Sequence, residues 1–159
     1  MAKPAWNDDL LACYPYLLDR LRGVQQISDV LEAEDFAAMS GPDRNQVPLD
    51  GAVYVMWDGL TPQASNNNGR EQTMTIGFSI ILTKTHYTPK PQTDGVSQTL
   101  TAICKALQGF DPIDEEGRAL VTAPFAQRPP IPFKYEDGFA FFPLRFTAEV
   151  TVIADNDSN

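Results

Sequence analysis

The chain has 159 residues with 21 acidic and 12 basic side chains, a formal net charge of −9. Hydrophobic residues make up 43% and charged residues 21%, which suits one ordinary globular domain and excludes a disordered chain. The acidic balance, without any Lys/Arg cluster, excludes gripping of DNA or RNA through its phosphates, while leaving an acidic wall past which DNA can slide. No run reaches the roughly 20 apolar residues of a membrane span. Asn7, Asp8 and Asp9 stand where a secretory signal would be apolar, so the protein is expected in the reducing cytoplasm of the cell that makes it.

Near the start, Leu10, Leu11, Cys13, Tyr14, Leu17, Leu18 and Leu21 follow helical spacing after Asn7 or Asp8 as cap, closing at Gly23, with Pro15 kinking or restarting the helix. Val24, Ile27 and Val30 form a short run compatible with a strand, and residues 32–39 read as a brief helix ended by Ser40-Gly41-Pro42. A polar loop over 43–50 leads into Ala52-Val53-Tyr54-Val55-Met56-Trp57, dense in β-formers and apolar on both faces. That strand is expected to end at Asp58-Gly59. Residues 61–69, with Pro62 and Ser65-Asn66-Asn67-Asn68-Gly69, then read as an exposed, mobile loop.

From Arg70 to Tyr87 the alternation of Thr73, Thr75, Gly77, Ser79, Ile81 and Thr83 with Met74, Ile76, Phe78, Ile80 and Leu82 is the cleanest period-two pattern in the chain. It predicts a long antiparallel strand with one apolar face, available as a sheet edge. Thr93 or Asp94 caps a helix with Val96, Leu100, Ile103, Cys104 and Leu107 on one stripe, ending at Gly109 and lying across the sheet. Residues 110–132, rich in Pro and acids, predict a partly ordered excursion, with Leu120-Val121 as a short strand. Residues 132–135 and 139–142 read as strands around a turn at Glu136-Asp137-Gly138. Pro143 is expected to break or bulge the ladder before a final strand over 145–153. The fold class is α+β, an antiparallel or mixed β-sheet with helices packed on one face; residues 1–154 form a single domain and 155–159 a flexible polar tail.

Catalytic chemistry finds little support. His86 is the only histidine and stands at a strand end, and Cys13 and Cys104 lie on apolar helical stripes as small hydrophobes. Three such ligands, far apart, do not make a zinc site, and no glycine-rich phosphate loop is present. Asp111, Asp114, Glu115 and Glu116 match no calcium-loop spacing and read as a solvated acidic loop. The aromatic group of Phe133, Tyr135, Phe139, Phe141, Phe142 and Phe146 reads first as core, and second as protein interface. The expectation is a protein with no enzyme activity, cofactor or metal.

Taken in order, several pieces resemble the tail terminator proteins of tailed bacteriophages, including the group from Mu-like phages. They are the N-terminal helix, Gly23-Val24-Gln25-Gln26-Ile27 leading to Leu31-Glu32-Ala33-Glu34-Asp35-Phe36-Ala37-Ala38, and Val47-Pro48 before Ala52-Val53-Tyr54-Val55 with Asp58-Gly59. The late stretch Asp137-Gly138-Phe139-Ala140-Phe141-Phe142-Pro143-Leu144-Arg145-Phe146 also resembles that family's last hairpin, and the likeness runs from about Trp6 to Ile153.

The resemblance implies a structural virion protein of the tail and neck: a homo-oligomeric ring, commonly a hexamer, that caps the tail tube and stops its polymerisation. Its implied partners are further copies of itself, the tail tube protein, a neck or head-completion protein and the sheath protein, with DNA passing through unbound and no membrane involved. Loops that order against ring neighbours supply the candidate interface residues Ser65, Asn66, Asn67, Asn68, Gly69 and Arg70, and Asp111, Asp114, Glu115 and Glu116. Other readings are a different neck or tail-completion subunit, or a small ligand-binding module with a cavity between the helix at 96–107 and the sheet.

Overall fold

The computed structural model describes residues 4–34, 49–87, 89–90, 92–131 and 139–155. After a 3₁₀ turn at Ala5–Asn7 come α1 (Tyr14–Arg22), β1 (Val30–Glu32), β2 (Val53–Asn66), β3 (Glu71–Thr85), α2 (Val96–Leu107), β4 (Ala123–Arg128) and β5 (Phe139–Ile153). The five strands form one open sheet in the order β1-β2-β3-β5-β4. β1 runs parallel to β2, and the remaining neighbours are antiparallel. The expected mixed-sheet α+β domain is what the chain forms.

Alternation along the strands decides where the core sits, because successive side chains leave a strand on opposite faces. Ile76, Phe78, Ile80 and Leu82 of β3 and Phe146, Ala148 and Val150 of β5 face Leu17 and Leu21 of α1 and Ile103 and Leu107 of α2. Each of these side chains except the small Ala148, when fully buried, contributes roughly 1.5–3 kcal/mol of transfer free energy. Adjacent Phe141 and Phe142 part company as their spacing requires. Phe142 packs toward the helices, edge-on to Tyr87 at 5.1 Å between ring centroids, while Phe141 joins Ala52, Tyr54 and Ile81 in a smaller apolar group on the other face.

Several expectations are corrected by this architecture. β3 is no edge: it pairs with β2 on one side from Glu71 to Leu82 and with β5 on the other from Glu71 to Thr85, and is buried on both faces from Ile76 to Thr83. Its clean alternation reflects two different buried sets rather than one wet face. β2 does not stop at Asp58-Gly59 but absorbs Asp58 in a bulge and runs on to Asn66, so most of the loop expected over 61–69 is strand.

Pro143 does not break the ladder, since β5 keeps its register with β3 through the Pro143↔Ile81 pair. On the other side of β5 the last β4 rung is Arg128↔Arg145, so the missing N–H of Pro143 falls where no ladder needs it. The expected strand at Leu120-Val121 is instead a pair of buried connector residues, and β4 follows at Ala123–Arg128 despite Pro124. α1 begins at Tyr14 with Pro15 in its first turn, where a missing N–H costs nothing. α2 is preceded by Gly95 at φ 78°, not capped by a Thr93 or Asp94 side chain. Most of the helix expected over 32–39, the loop at 43–48, the strand at 132–135 and the turn at 136–138 lie outside the described residues.

Candidate functional site

The first group of candidate interface residues forms the tip of a long hairpin. Ser65 and Asn66 are strand residues opposite Gln72 and Glu71. Asn67, Asn68 and Gly69 turn the chain with φ of 54°, 55° and 82°. Asn and Gly are the residue types that enter this left-handed region at least cost. The turn closes with Gly69 N–H donating to Asn66 O at 3.1 Å and Arg70 N–H to Asn67 O at 3.1 Å. Arg70 then fastens the tip to the end of β5: its Nη2 donates to the Asp155 carbonyl at 2.6 Å, and its own carbonyl accepts from Ala154 N–H at 2.8 Å. Below the tip, Gln63 Nε2 donates to Thr75 Oγ1 at 3.1 Å, and the Thr73 and Thr151 hydroxyls meet at 3.0 Å. The arm is a built element, and no residue from Gly59 to Gly69 is charged.

The second group lies in the connection from α2 to β4. Asp114 organises it: Oδ1 accepts from the N–H groups of Glu116 at 2.9 Å and Arg118 at 2.8 Å, and Oδ2 accepts from Arg118 Nε at 2.7 Å. The Arg118 N–H first, and then its guanidinium, hold the Asp114 carboxyl below the usual carboxylate range. An Ile113↔Ala119 bridge closes the turn and leaves Ile113 exposed. Glu115 Oε2 accepts from Tyr16 Oη at 2.7 Å, tying the loop to α1; that bond lowers the carboxyl's pKa and raises the phenol's. Asp111 and Glu116 are exposed. The solvated acidic loop of the sequence reading is thus a folded turn with one acid as its internal clasp.

Both groups lie toward one end of the sheet. The loop rejoins the sheet where Thr122 N–H donates to Glu149 O at 2.6 Å, and the hairpin reaches Ile153 through Glu71. The N-terminal segment closes the same end, with Trp6 Nε1 donating to Thr151 O at 2.7 Å and Asn7 Oδ1 accepting from Ile153 N–H at 2.6 Å.

Sequence reasoning missed two features. One is an ion pair across the sheet between Asp58 and Arg145, 2.9 Å apart; residues so distant in sequence leave no local signal. The other is a pair of exposed apolar side chains, Trp57 and Leu60, on β2 beyond the end of β1. An aromatic directly before Asp-Gly, in what had to be a strand, was the available hint.

The remaining candidates for chemistry are spread out. His86 is exposed at the end of β3 with φ 51°. Cys13 and Cys104 are free thiols, and burial pushes Cys13 up to about 12. Among the described residues no group of three or more His, Cys, Asp or Glu could hold a metal, and no helix is long and apolar enough to cross a membrane. Between the start of α2 and the sheet runs an open groove of about 410 Å³, lined by Ser28, Asp50, Lys84, Asp94 and Thr99 among others. Its Lys84 and Asp50 pair with each other at 3.2 Å.

A family model described as phage tail terminator protein matches residues 7–156. The chain belongs to the phage tail terminator family. No curated protein matches it. Membership of the family makes it a structural protein of the virion tail that associates with other tail proteins, and the family is not one of enzymes.

Proposed function

We propose that the protein forms a ring, commonly of six copies, that caps the tail tube, halts its polymerisation and joins the tail to the neck or head-completion proteins. The observation that carries this reading is the hairpin arm of β2 and β3, whose β2 side and turn carry no charge from Gly59 to Gly69 and whose tip is fixed by Arg70, in a chain whose family is the tail terminators. A surface free of charge loses little on being desolvated against a neighbour, and a pre-ordered one loses little entropy. The folded acidic turn around Asp114, toward the same end of the sheet, offers the second contact, so that Ser65 to Arg70 and Asp111 to Glu116 face subunits or tube together. The net charge of −9 suits a channel through which DNA passes without being held.

Mass in solution tests the ring. Native mass spectrometry or light scattering of the purified chain is expected to give a closed oligomer near six times 17.6 kDa. A monomer at micromolar concentration that also fails to bind tube ends would refute the reading.

A further inference from the structure

β1 ends at Glu32 opposite Val55, and among the described residues no strand continues its track along β2. A groove of about 400 Å³ opens at that point, walled by Leu11 and Tyr14 from the α1 side, Trp57 from β2, and Glu32, Ala33 and Glu34 at the end of β1. Its walls are set in place. The Tyr14 ring stacks on Phe78 at 5.9 Å and its hydroxyl donates to Glu32 Oε1 at 2.8 Å. The Trp57 indole N–H turns back to Gly59 O at 2.9 Å, so its polar edge is satisfied within the chain. What Trp57 offers outward is apolar surface, at 47% exposure, with Leu60 three residues on at 39%. Leu60 lies opposite Ile76, on the same sheet face as the helices.

Rigid aromatic anchors in a concave site are the usual carriers of binding energy between proteins. The charge of the rim selects what enters. Glu32 and Glu34 border the apolar walls, so a cationic neighbour is attracted and an acidic one repelled. Nucleic acid is excluded by the same sign. The backbone of β2 past Val55 can add main-chain hydrogen bonds to an extended segment. The bulge at Asp58 and the missing N–H of Pro62 keep that stretch short, so recognition falls mainly on side chains.

We propose that this groove receives an extended segment of another tail protein. The segment places an apolar side chain between Tyr14 and Trp57, and a lysine or arginine against Glu34. The terminator reading enters only in where the partner is sought.

The test uses the full chain and overlapping synthetic peptides spanning the tube and neck proteins of the same phage, with binding read by fluorescence anisotropy. Captured peptides should carry an apolar residue next to Lys or Arg. Trp57→Ala and Glu34→Lys should each weaken capture about tenfold or more, while Thr101→Ala on the exposed side of α2, which does not line the groove, leaves it unchanged. Thermal unfolding of the variants close to that of the parent shows that the fold is kept. Capture of no peptide, capture of acidic peptides, or capture indifferent to Trp57→Ala would overturn the proposal. So would a change in the chain's own oligomeric mass on Trp57→Ala with peptide binding intact, since the groove would then join copies. Tube growth that is still halted in any of these cases would leave the terminator reading standing.

Discussion

Arg145 of β5 reaches across β3 to Asp58 of β2, its Nε lying 3.1 Å from both carboxylate oxygens and its Nη2 2.9 Å from Oδ1. Three local features make the reach possible. The bulge between Trp57 and Gly59 aims Asp58 over the sheet, Gly77 on the intervening strand has no side chain to obstruct it, and Ser79 Oγ donates to Asp58 Oδ2 at 2.6 Å. The Asp58 side chain is only 8% exposed and that of Arg145 24%. A pair so placed is costly to break from one side, because the partner left behind is a poorly solvated charge.

Replacing Asp58 by Ala should therefore destabilise the chain by about 2–3 kcal/mol, below the full buried-pair cost because Arg145 keeps some water. Urea unfolding reads this directly. Arg145→Met together with Asp58→Leu should recover much of the loss.

Gly77 is held to glycine by its neighbours rather than by its backbone angles. A Cβ there would overlap Arg145 Nη2 and Asp58 Oδ1. Gly77→Ala should cost about 1–3 kcal/mol, and a double-mutant cycle with Asp58→Ala should show the two losses to be strongly non-additive. Additive losses would mean that the pair does not cross at Gly77.

At the hairpin tip, Asn67 and Asn68 hold φ near +55°. Asn68→Val should lower stability by about 1–2 kcal/mol, since a β-branched residue is disfavoured in that region, whereas Asn68→Gly should be neutral or slightly stabilising. Thermal unfolding of the two variants makes the comparison.

The clasp of the acidic turn carries a pH signature. Asp114 has its carboxyl lowered from an ordinary value of 3.8 by the Arg118 N–H and guanidinium. A depressed carboxylate contributes stability that is fully present above the ordinary value and lost as pH falls through the lowered one. Hydrogen exchange at Glu116 and Arg118 should thus stay protected down to pH 3.8 and open only below it. Protection lost already near neutrality would contradict the clasp.

Much of the sheet was legible because β3 alternates without interruption, and because Val53 to Trp57 could hardly be anything but strand. What was not legible came from residues whose local preference was overridden by pairing. Asp58-Gly59 and Pro62 have turn chemistry, yet a bulge and an outward-facing proline let β2 continue past them. Pro124 hid β4 in the same way. The neighbours of β3 on both sides could not be inferred from its own pattern, so a central strand looked like an edge. In the candidate site, Asn67 to Gly69 announced a turn, while the anchoring of Arg70 to Asp155 depends on strand order. Asp114 with Arg118 four residues on was a readable clasp; Asp58 with Arg145 was not, because only the folded sheet brings them together.

Control of tube length is the central claim, and tube growth in vitro measures it most directly. Purified tube protein from the same phage would be polymerised with and without this chain, and the lengths counted by electron microscopy. Tubes that stop short, with added density on one end only, are the predicted result. Lengths unchanged by the chain, with both ends bare, would contradict the account.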